Sequence, residues 1–214
     1  MNDSKMNATK ILLDSPWDRF NQLLSGMAIS SVFLIMDEHT NRFCKMHFLQ
    51  NSNLNSFHET IVPAGESSKS LQNCQKIWEE WMDKGMDRHS LVICLGGGVV
   101  CDLGGFCASV FMRGVKTIYV PTSLMAMADA AIGGKTGINF CFSKNILGSF
   151  YLPVSIVIDP DFLSTLPDRQ IRSGFVEIIK HSLISQPAYF PELKEETWPL
   201  SSGRMIQWIK RSIE

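Results

Sequence analysis

The chain has 214 residues, 45% of them apolar and 19% charged, with a formal net charge of −1. That length carries one large domain or one and a half ordinary ones, and the composition supports a sizeable core and excludes global disorder. Near-neutrality excludes nucleic-acid binding driven by bulk electrostatics, so any anionic ligand must be held by local groups.

The opening "MNDSKMNATK" is polar and lacks the apolar stretch of a secretory signal. No run reaches the ~20 apolar residues of a membrane helix. The six cysteines, at 44, 74, 94, 101, 107 and 141, show no C-x-x-C spacing. They read as reduced thiols rather than a disulfide framework. The expectation is a soluble cytoplasmic protein with neither a membrane nor a nucleic-acid partner.

In chain order, "SSVFLIMDEHT" (30–40) reads as a buried strand with Asp37 at its C-terminal end, the place where an α/β sheet meets a ligand. "FHETIVPAGESSKS" holds a short strand before a Pro-Ala-Gly break. "SLQNCQKIWEEWMDKGM" follows as an amphipathic helix with Leu71, Cys74, Ile77, Trp78, Trp81 and Met82 near helical spacing, Ser70 as its cap and Gly85 as its stop. "SLVICLGGG" is a second buried strand running into three glycines, and "VVCDLGGFCASVF" is helix-like. "GVKTIYVPTSL" is a third strand, broken by Pro121, and "SIVIDPDFLSTLP" supplies a fourth that ends in an Asp-Pro turn. Strands that alternate with helices and end in Gly, Asp or Thr indicate a parallel α/β sheet. From Leu166 onward "DRQIRSGFVEIIKHSLI" and "GRMIQWIKRSIE" turn helical. The expected division is an α/β domain over 1–165 and the beginning of a helical domain over 166–214.

Five stretches bear chemistry. In "LVICLGGGVVCD" a strand delivers Gly96, Gly97 and Gly98 to a helix start. Backbone without side chains can approach a diphosphate, and the helix end offers free N–H groups. The alternative is a tight turn without a ligand, but three glycines exceed what a turn needs. The spacing is not G-x-G-x-x-G. In "VPTSLMAMADAAIGGKTGIN" Thr122 and Ser123 offer hydroxyls, and Asp129 sits among small apolar residues, where it is costly unless paired. Lys135, Lys144 and Asn145 follow; each lysine alone reads as a solvated residue, but Asp129, Lys135 and Asn145 close together point to a site. Arg113 in "FMRG" suits phosphate or carboxylate and is equally a structural residue. Glu66 and Lys69 in "GESSK" are weak in isolation, and the Trp78–Trp81 pair reads as core. Finally, "GFVEIIKHSL" puts Glu177, Lys180 and His181 on one helical turn, and a Glu and a His at that spacing can share zinc.

Together "PAGESSK", "GGGVVCDLGGF", "FMRG", "VPTSLMAMADAAIGGKTGIN", "KNILGSFYLP" and "IDPDFLSTLPDRQIRSGFVEIIKH" resemble, in order and spacing, the 3-dehydroquinate synthases, over residues 30 to 185. Sister sugar-phosphate cyclases such as 2-deoxy-scyllo-inosose synthase share most of these motifs. The resemblance implies a homodimeric, NAD-dependent lyase of the shikimate pathway that requires zinc or cobalt. It cyclises the sugar phosphate 3-deoxy-D-arabino-heptulosonate 7-phosphate with loss of phosphate. In that chemistry NAD transiently oxidises a hydroxyl, the neighbouring C–H becomes acidic, phosphate leaves, and the returned hydride precedes an aldol closure.

Carried over residue by residue, the resemblance places Asp37 on the adenosine ribose with Glu66 and Lys69 near it. It puts Gly97, Gly98, Val99 and Asp102 along the diphosphate and nicotinamide, with Thr122, Ser123, Lys144 and Thr165 completing the cofactor contacts. Asp129, Lys135, Asn145 and Lys180 face substrate, Arg113 reaches the substrate phosphate of a neighbouring subunit, and Glu177 binds the metal. His181 becomes a bystander, because the family's metal-binding histidines come later in the chain. Cys101 stands where glycine is usual, Ser123 where a second threonine is usual, and His39 where asparagine often meets the nucleotide.

The five histidines are 39, 47, 58, 89 and 181, so the later pair is missing. The expectation is a portion of such a synthase that is weak or inactive alone. The alternatives are a sister cyclase and a truncated, non-catalytic NAD-binding protein.

Overall fold

A computed structural model describes residues 9–13, 15–185, 187–198 and 200–214. It opens with strand β1 (Lys10–Leu12), helix α1 (Pro16–Ser25), strand β2 (Val32–Asp37), two short helices α2 (Glu38–Phe43) and α3 (Lys45–Asn51), and strand β3 (His58–Val62). Helix α4 (Leu71–Asp83), strand β4 (Leu91–Gly96), helix α5 (Gly98–Val110) and strand β5 (Lys116–Pro121) come next. After a π-helical turn at Ala126–Ala130 stand strands β6 (Lys135–Phe140), β7 (Ser143–Phe150) and β8 (Ser155–Val157). Helices α6 (Asp168–Ile184), α7 (Phe190–Lys194) and α8 (Ser202–Ile213) close the described chain.

Six strands form one wholly parallel sheet in the order β1-β8-β5-β4-β2-β3. Every residue of β4 is buried, as are five of the six in β2. A strand covered on both faces carries a continuous apolar run, which is why "VFLIM" and "LVICL" need no alternation. β2 pairs with β3 on one side and with β4 on the other. The winding therefore reverses between β2 and β4, and a doubly wound sheet opens its ligand crevice beyond the carboxyl ends of such strands. Asp37, Gly96 and Pro121 end their strands along this edge, with Gly96 in register with Pro121.

Helix α4 shows how burial refines a pattern. Cys74, Ile77 and Trp81 are buried, whereas Leu71 and Met82 are 40% and 67% exposed. At 3.6 residues per turn the three buried side chains span an arc of about 60°, and the other two lie about 90–110° away from its centre. They belong to the flank rather than the core stripe. Ser70 caps this helix by accepting from the Asn73 N–H, and Gly85 follows it with φ +71°, both as expected. Trp81 is core; its indole N–H donates to Thr60 Oγ1 at 3.2 Å.

The segment after the π-helical turn forms an antiparallel hairpin, β6–β7, irregular at Ile138/Phe140. It packs against α5. The expected helices are present, and α6 and α8 both pack on the π-helical turn. Ile178 of α6 and Trp208 and Ile209 of α8 join the same buried cluster as the strands. Gly174 sets the approach of α6: a Cβ there would lie 2.5 Å from the Met125 backbone nitrogen. All six cysteines are free, five buried and Cys141 exposed. Among the described residues no helix is long and apolar enough to cross a membrane.

Candidate functional site

At the sheet edge, α5 begins directly at the end of β4. Its N-cap is Gly97, which has no side chain to seal the helix, so the first N–H groups are not side-chain capped. A Cβ on Gly98 would stand 3.1 Å from the Ala130 Cβ, and one on Gly97 would stand 3.3 Å from Ser123 Oγ. Both glycines therefore permit close contact with the Ser123–Ala130 segment, and Val99 follows in the first turn. Thr122 is buried, its N–H held by the Gly96 carbonyl at 3.0 Å.

Asp37 caps α2: its Oδ1 accepts the Thr40 N–H at 2.7 Å and the Thr40 hydroxyl at 3.0 Å. Cys44, at the end of α2, lies 3.9 Å from Thr165 Oγ1. Burial pushes the Cys44 thiol above its ordinary value, against hydrogen bonds from Thr165 and Thr122, and the Asp37 charge adds to the rise. Asp37, Thr122 and Thr165, distant in sequence, thus share one neighbour.

Lys69 is 3% exposed and charge-compensated. Its Nζ donates to Asp102 Oδ2 at 2.7 Å and to Asn145 Oδ1 at 2.5 Å, with Glu66 Oε1 3.8 Å away. One ammonium thereby ties the loop after β3 to α5 and to the hairpin. Burial raises the Asp102 carboxyl above its ordinary value, and Lys69 opposes that rise. Sequence reasoning singled out Lys69, Asp102 and Asn145 but did not foresee this mutual contact.

On the π-helical turn, Asp129 stands between two ammonium groups, 3.9 Å from Lys135 Nζ and 3.6 Å from Lys180 Nζ. Lys180 also contacts Glu177, one helical turn away on α6. Glu177 and, more weakly, Asp129 hold the Lys180 ammonium above its ordinary value, so it is charged at neutral pH. Asp102, Asp129, Lys135, Asn145, Ser149 and Phe150 line a cavity of about 480 Å³ between this turn and the hairpin.

His181 lies beside these carboxylates, as a neighbour of the site. One of its ring nitrogens lies within 4.8 Å of ligand atoms of Asp129 and Glu177. Its Nδ1 faces the Ser212 carbonyl at 3.1 Å and the Ser212 hydroxyl at 2.6 Å, from α8.

Two expected residues remain. Arg113 follows α5 and precedes β5, at the opposite end of the sheet, in a left-handed conformation with φ 65°. Lys144 is exposed on β7. A polar knot not foreseen from sequence lies after β8: Asp159 Oδ2 accepts from Trp17 Nε1 and pairs with His47 Nε2, each at 2.7 Å. Its one sequence signal was an Asp at a strand end.

The family model described as 3-dehydroquinate synthase N-terminal matches residues 59–173. A 3-dehydroquinate synthase from Alkaliphilus metalliredigens (strain QYMF) is 42% identical over 169 residues, 79% of this chain and 48% of that protein. The chain spans about half the length of the curated relatives it matches. Among solved structures, the 2-epi-5-epi-valiolone synthase of Streptomyces hygroscopicus subsp. jinggangensis 5008, with NAD+ and Zn2+ bound, superposes with a TM-score of 0.79 at 27% identity, covering 100% of this chain and 61% of that one. A 2-deoxy-scyllo-inosose synthase complexed with carbaglucose-6-phosphate, NAD+ and Co2+ gives a TM-score of 0.79 at 22% identity, covering 96% of this chain and 57% of that one, and shares its fold.

Proposed function

This chain belongs to the 3-dehydroquinate synthase family, and from that premise we propose that it supplies the nucleotide-binding part and one wall of the substrate site of a 3-dehydroquinate synthase. The reaction would be the metal-dependent cyclisation of 3-deoxy-D-arabino-heptulosonate 7-phosphate with loss of phosphate, a carbon–oxygen lyase step in the shikimate pathway. The observation that carries the reading is the convergence of Asp102, Asp129, Lys135 and Asn145 on one cavity, with Lys180 and Glu177 against Asp129.

The residues fit NAD. The unsealed start of α5 and the absence of side chains at Gly97 and Gly98 make a place for a diphosphate. Asp37, Glu66, Lys69, Val99, Asp102, Thr122, Ser123, Lys144 and Thr165 complete the proposed cofactor set. For a divalent ion the donor chemistry fits in part: Glu177, with Asp129 and His181 within ligand-sharing distance and the Lys180 cation already seated against the carboxylates. When bound, NAD accepts and returns a hydride while a zinc or cobalt ion polarises the oxygen at which oxidation occurs.

The chain's own groups orient and compensate. Lys135 and Lys180 neutralise anionic groups of the sugar phosphate. Asp129 holds both lysines in place, and the Asn145 side chain contributes a neutral polar contact. Arg113, at the far end of the sheet, serves a neighbouring subunit in a homodimer. A catalytic zinc takes three protein ligands and an open position. The proposed functional division falls near residue 165, between β8, which ends at Val157, and α6, which begins at Asp168.

Calorimetric titration with NAD+, followed by phosphate release from the heptulosonate phosphate, tests the reading. Absence of NAD+ binding would refute it. The fold shared with the valiolone and inosose synthases keeps a sister cyclase as the second reading. Phosphate release from sedoheptulose 7-phosphate or glucose 6-phosphate, but not from the heptulosonate phosphate, would favour that one. NAD+ binding without any of these reactions, even when the chain is joined to a family C-terminal half, would mark a non-catalytic nucleotide-binding protein.

A further inference from the structure

Four residues close a ring of hydrogen bonds that includes Asn145 of the cavity wall, and Asn139 is the one whose role the motifs leave open. Its Nδ2 donates to Glu66 Oε1 at 3.0 Å and, more weakly, to the Glu66 carbonyl at 3.5 Å. Its Oδ1 accepts the Asn145 N–H at 2.9 Å, and its own N–H donates to the Lys69 carbonyl at 2.9 Å. The ring is completed where Lys69 Nζ reaches Asn145 Oδ1. Asn139 is therefore bonded to the loop that carries Glu66 and Lys69 and to the hairpin residue Asn145. A primary amide carries donor and acceptor on separate atoms, so it can donate to one and accept from the other at the same time.

Asn145 needs such a hold. It is exposed, lies on the outer strand of the hairpin, and has a left-handed φ of 53°, a conformation Asn tolerates better than most residues but does not favour by itself. Fixing its N–H and its side-chain oxygen from two directions fixes where the rest of the amide points.

We infer that Asn139 is a positioning residue that couples the nucleotide loop to the substrate face: whatever orders Glu66 and Lys69 also orients Asn145. This rests on the proposed reading in which Glu66 and Lys69 meet NAD and Asn145 meets substrate. Binding at the loop then presets the hairpin, without any contact between the two ligands at Asn139.

The test uses the 214-residue chain, its Asn139→Ala and Asn139→Asp variants, NAD+ titration, and hydrogen exchange at the Asn145 amide. In the parent chain NAD+ slows Asn145 exchange. In Asn139→Ala that exchange is about tenfold faster without nucleotide, the worth of one lost hydrogen bond, and NAD+ no longer slows it. Asn139→Asp keeps the acceptor for Asn145 but sets a second carboxylate against Glu66. It therefore retains Asn145 protection while NAD+ binds about tenfold more weakly.

A residue that merely supported the fold would lower thermal stability in both variants and leave the NAD+-induced protection intact; that result overturns the inference. If the parent chain binds no NAD+, the proposed function fails. The positioning role is then judged on nucleotide-free exchange, and an unchanged Asn145 rate in Asn139→Ala overturns it.

Discussion

Replacing Lys69 by methionine keeps the length and apolar stem of the side chain and removes one ammonium from a site that is 3% exposed. The loss has two parts. Asp102, whose side chain is 21% exposed, loses the cation 2.7 Å away that offsets its burial. Asn145 Oδ1 loses a charge-assisted donor at 2.5 Å. Breaking a buried pair by removing one partner costs about 3–5 kcal/mol, most of it the uncompensated charge left behind. Spread over a urea slope of roughly 2–3 kcal/mol per molar, this shifts the midpoint down by about 1–2.5 M at neutral pH.

The pH dependence identifies the charge responsible. Asp102 already has a folded value above its ordinary 3.8 because of burial. A carboxyl raised on folding favours the native state when protonated, and that contribution is lost as pH rises through the folded value. Without Lys69 the folded value climbs further, so the deficit of Lys69→Met is largest at neutral pH and shrinks on acidification. Adding Asp102→Asn removes the stranded charge, and the double variant recovers most of the loss in a mutant cycle. Equal midpoints for Lys69→Met and Lys69→Met/Asp102→Asn at neutral pH, or a deficit independent of pH, would refute the reasoning.

Other perturbations have defined outcomes. Trp81→Ala empties a fully buried indole site and unpairs Thr60; it costs about 3–5 kcal/mol and lowers Tm by about 10 °C or more, whereas Trp81→Phe loses less than half as much. Gly174→Ala forces a methyl to within 2.5 Å of the Met125 nitrogen. α6 must move away, at about 1–3 kcal/mol, and Co2+ titration of the variant weakens because Glu177 and His181 ride on that helix. Asp168 is held below its ordinary 3.8, first by Arg172 and then by Trp198. Its contribution is complete above 3.8 and disappears as pH falls through the lower folded value, so the stability gap between parent and Asp168→Asn closes only as pH falls below 3.8.

Much of the candidate site was legible because a parallel sheet sets its strand ends along one edge. Asp37, Gly96 to Gly98 and Thr122 each follow a run whose apolar character marks a doubly covered strand, and the structure sets those ends on one edge. The hairpin was not legible. Its strands meet at Cys141 and Phe142, with Cys141 in the left-handed region at φ 53°, where a hairpin turn ordinarily shows Asn or Gly. β7 is exposed at six of its eight residues, so no alternation reveals it. The short helices α2 and α3, six and seven residues long, are too brief to show a helical period.

That blind spot explains the most consequential thing sequence reading missed. Lys69, Asp102 and Asn145 each carried a role in the family pattern, but as separate contacts to separate ligands. Only the hairpin, folding back over α5, brings Asn145 to Lys69 and places Asn139 across from Glu66. Motifs record which side chains meet a ligand, because that chemistry restricts residue type. Which of them meet each other depends on a β-turn whose residues carry no turn signal. The link between the Glu66–Lys69 loop and the hairpin belongs to the fold, and the amide at 139 is a trace of it in the chain.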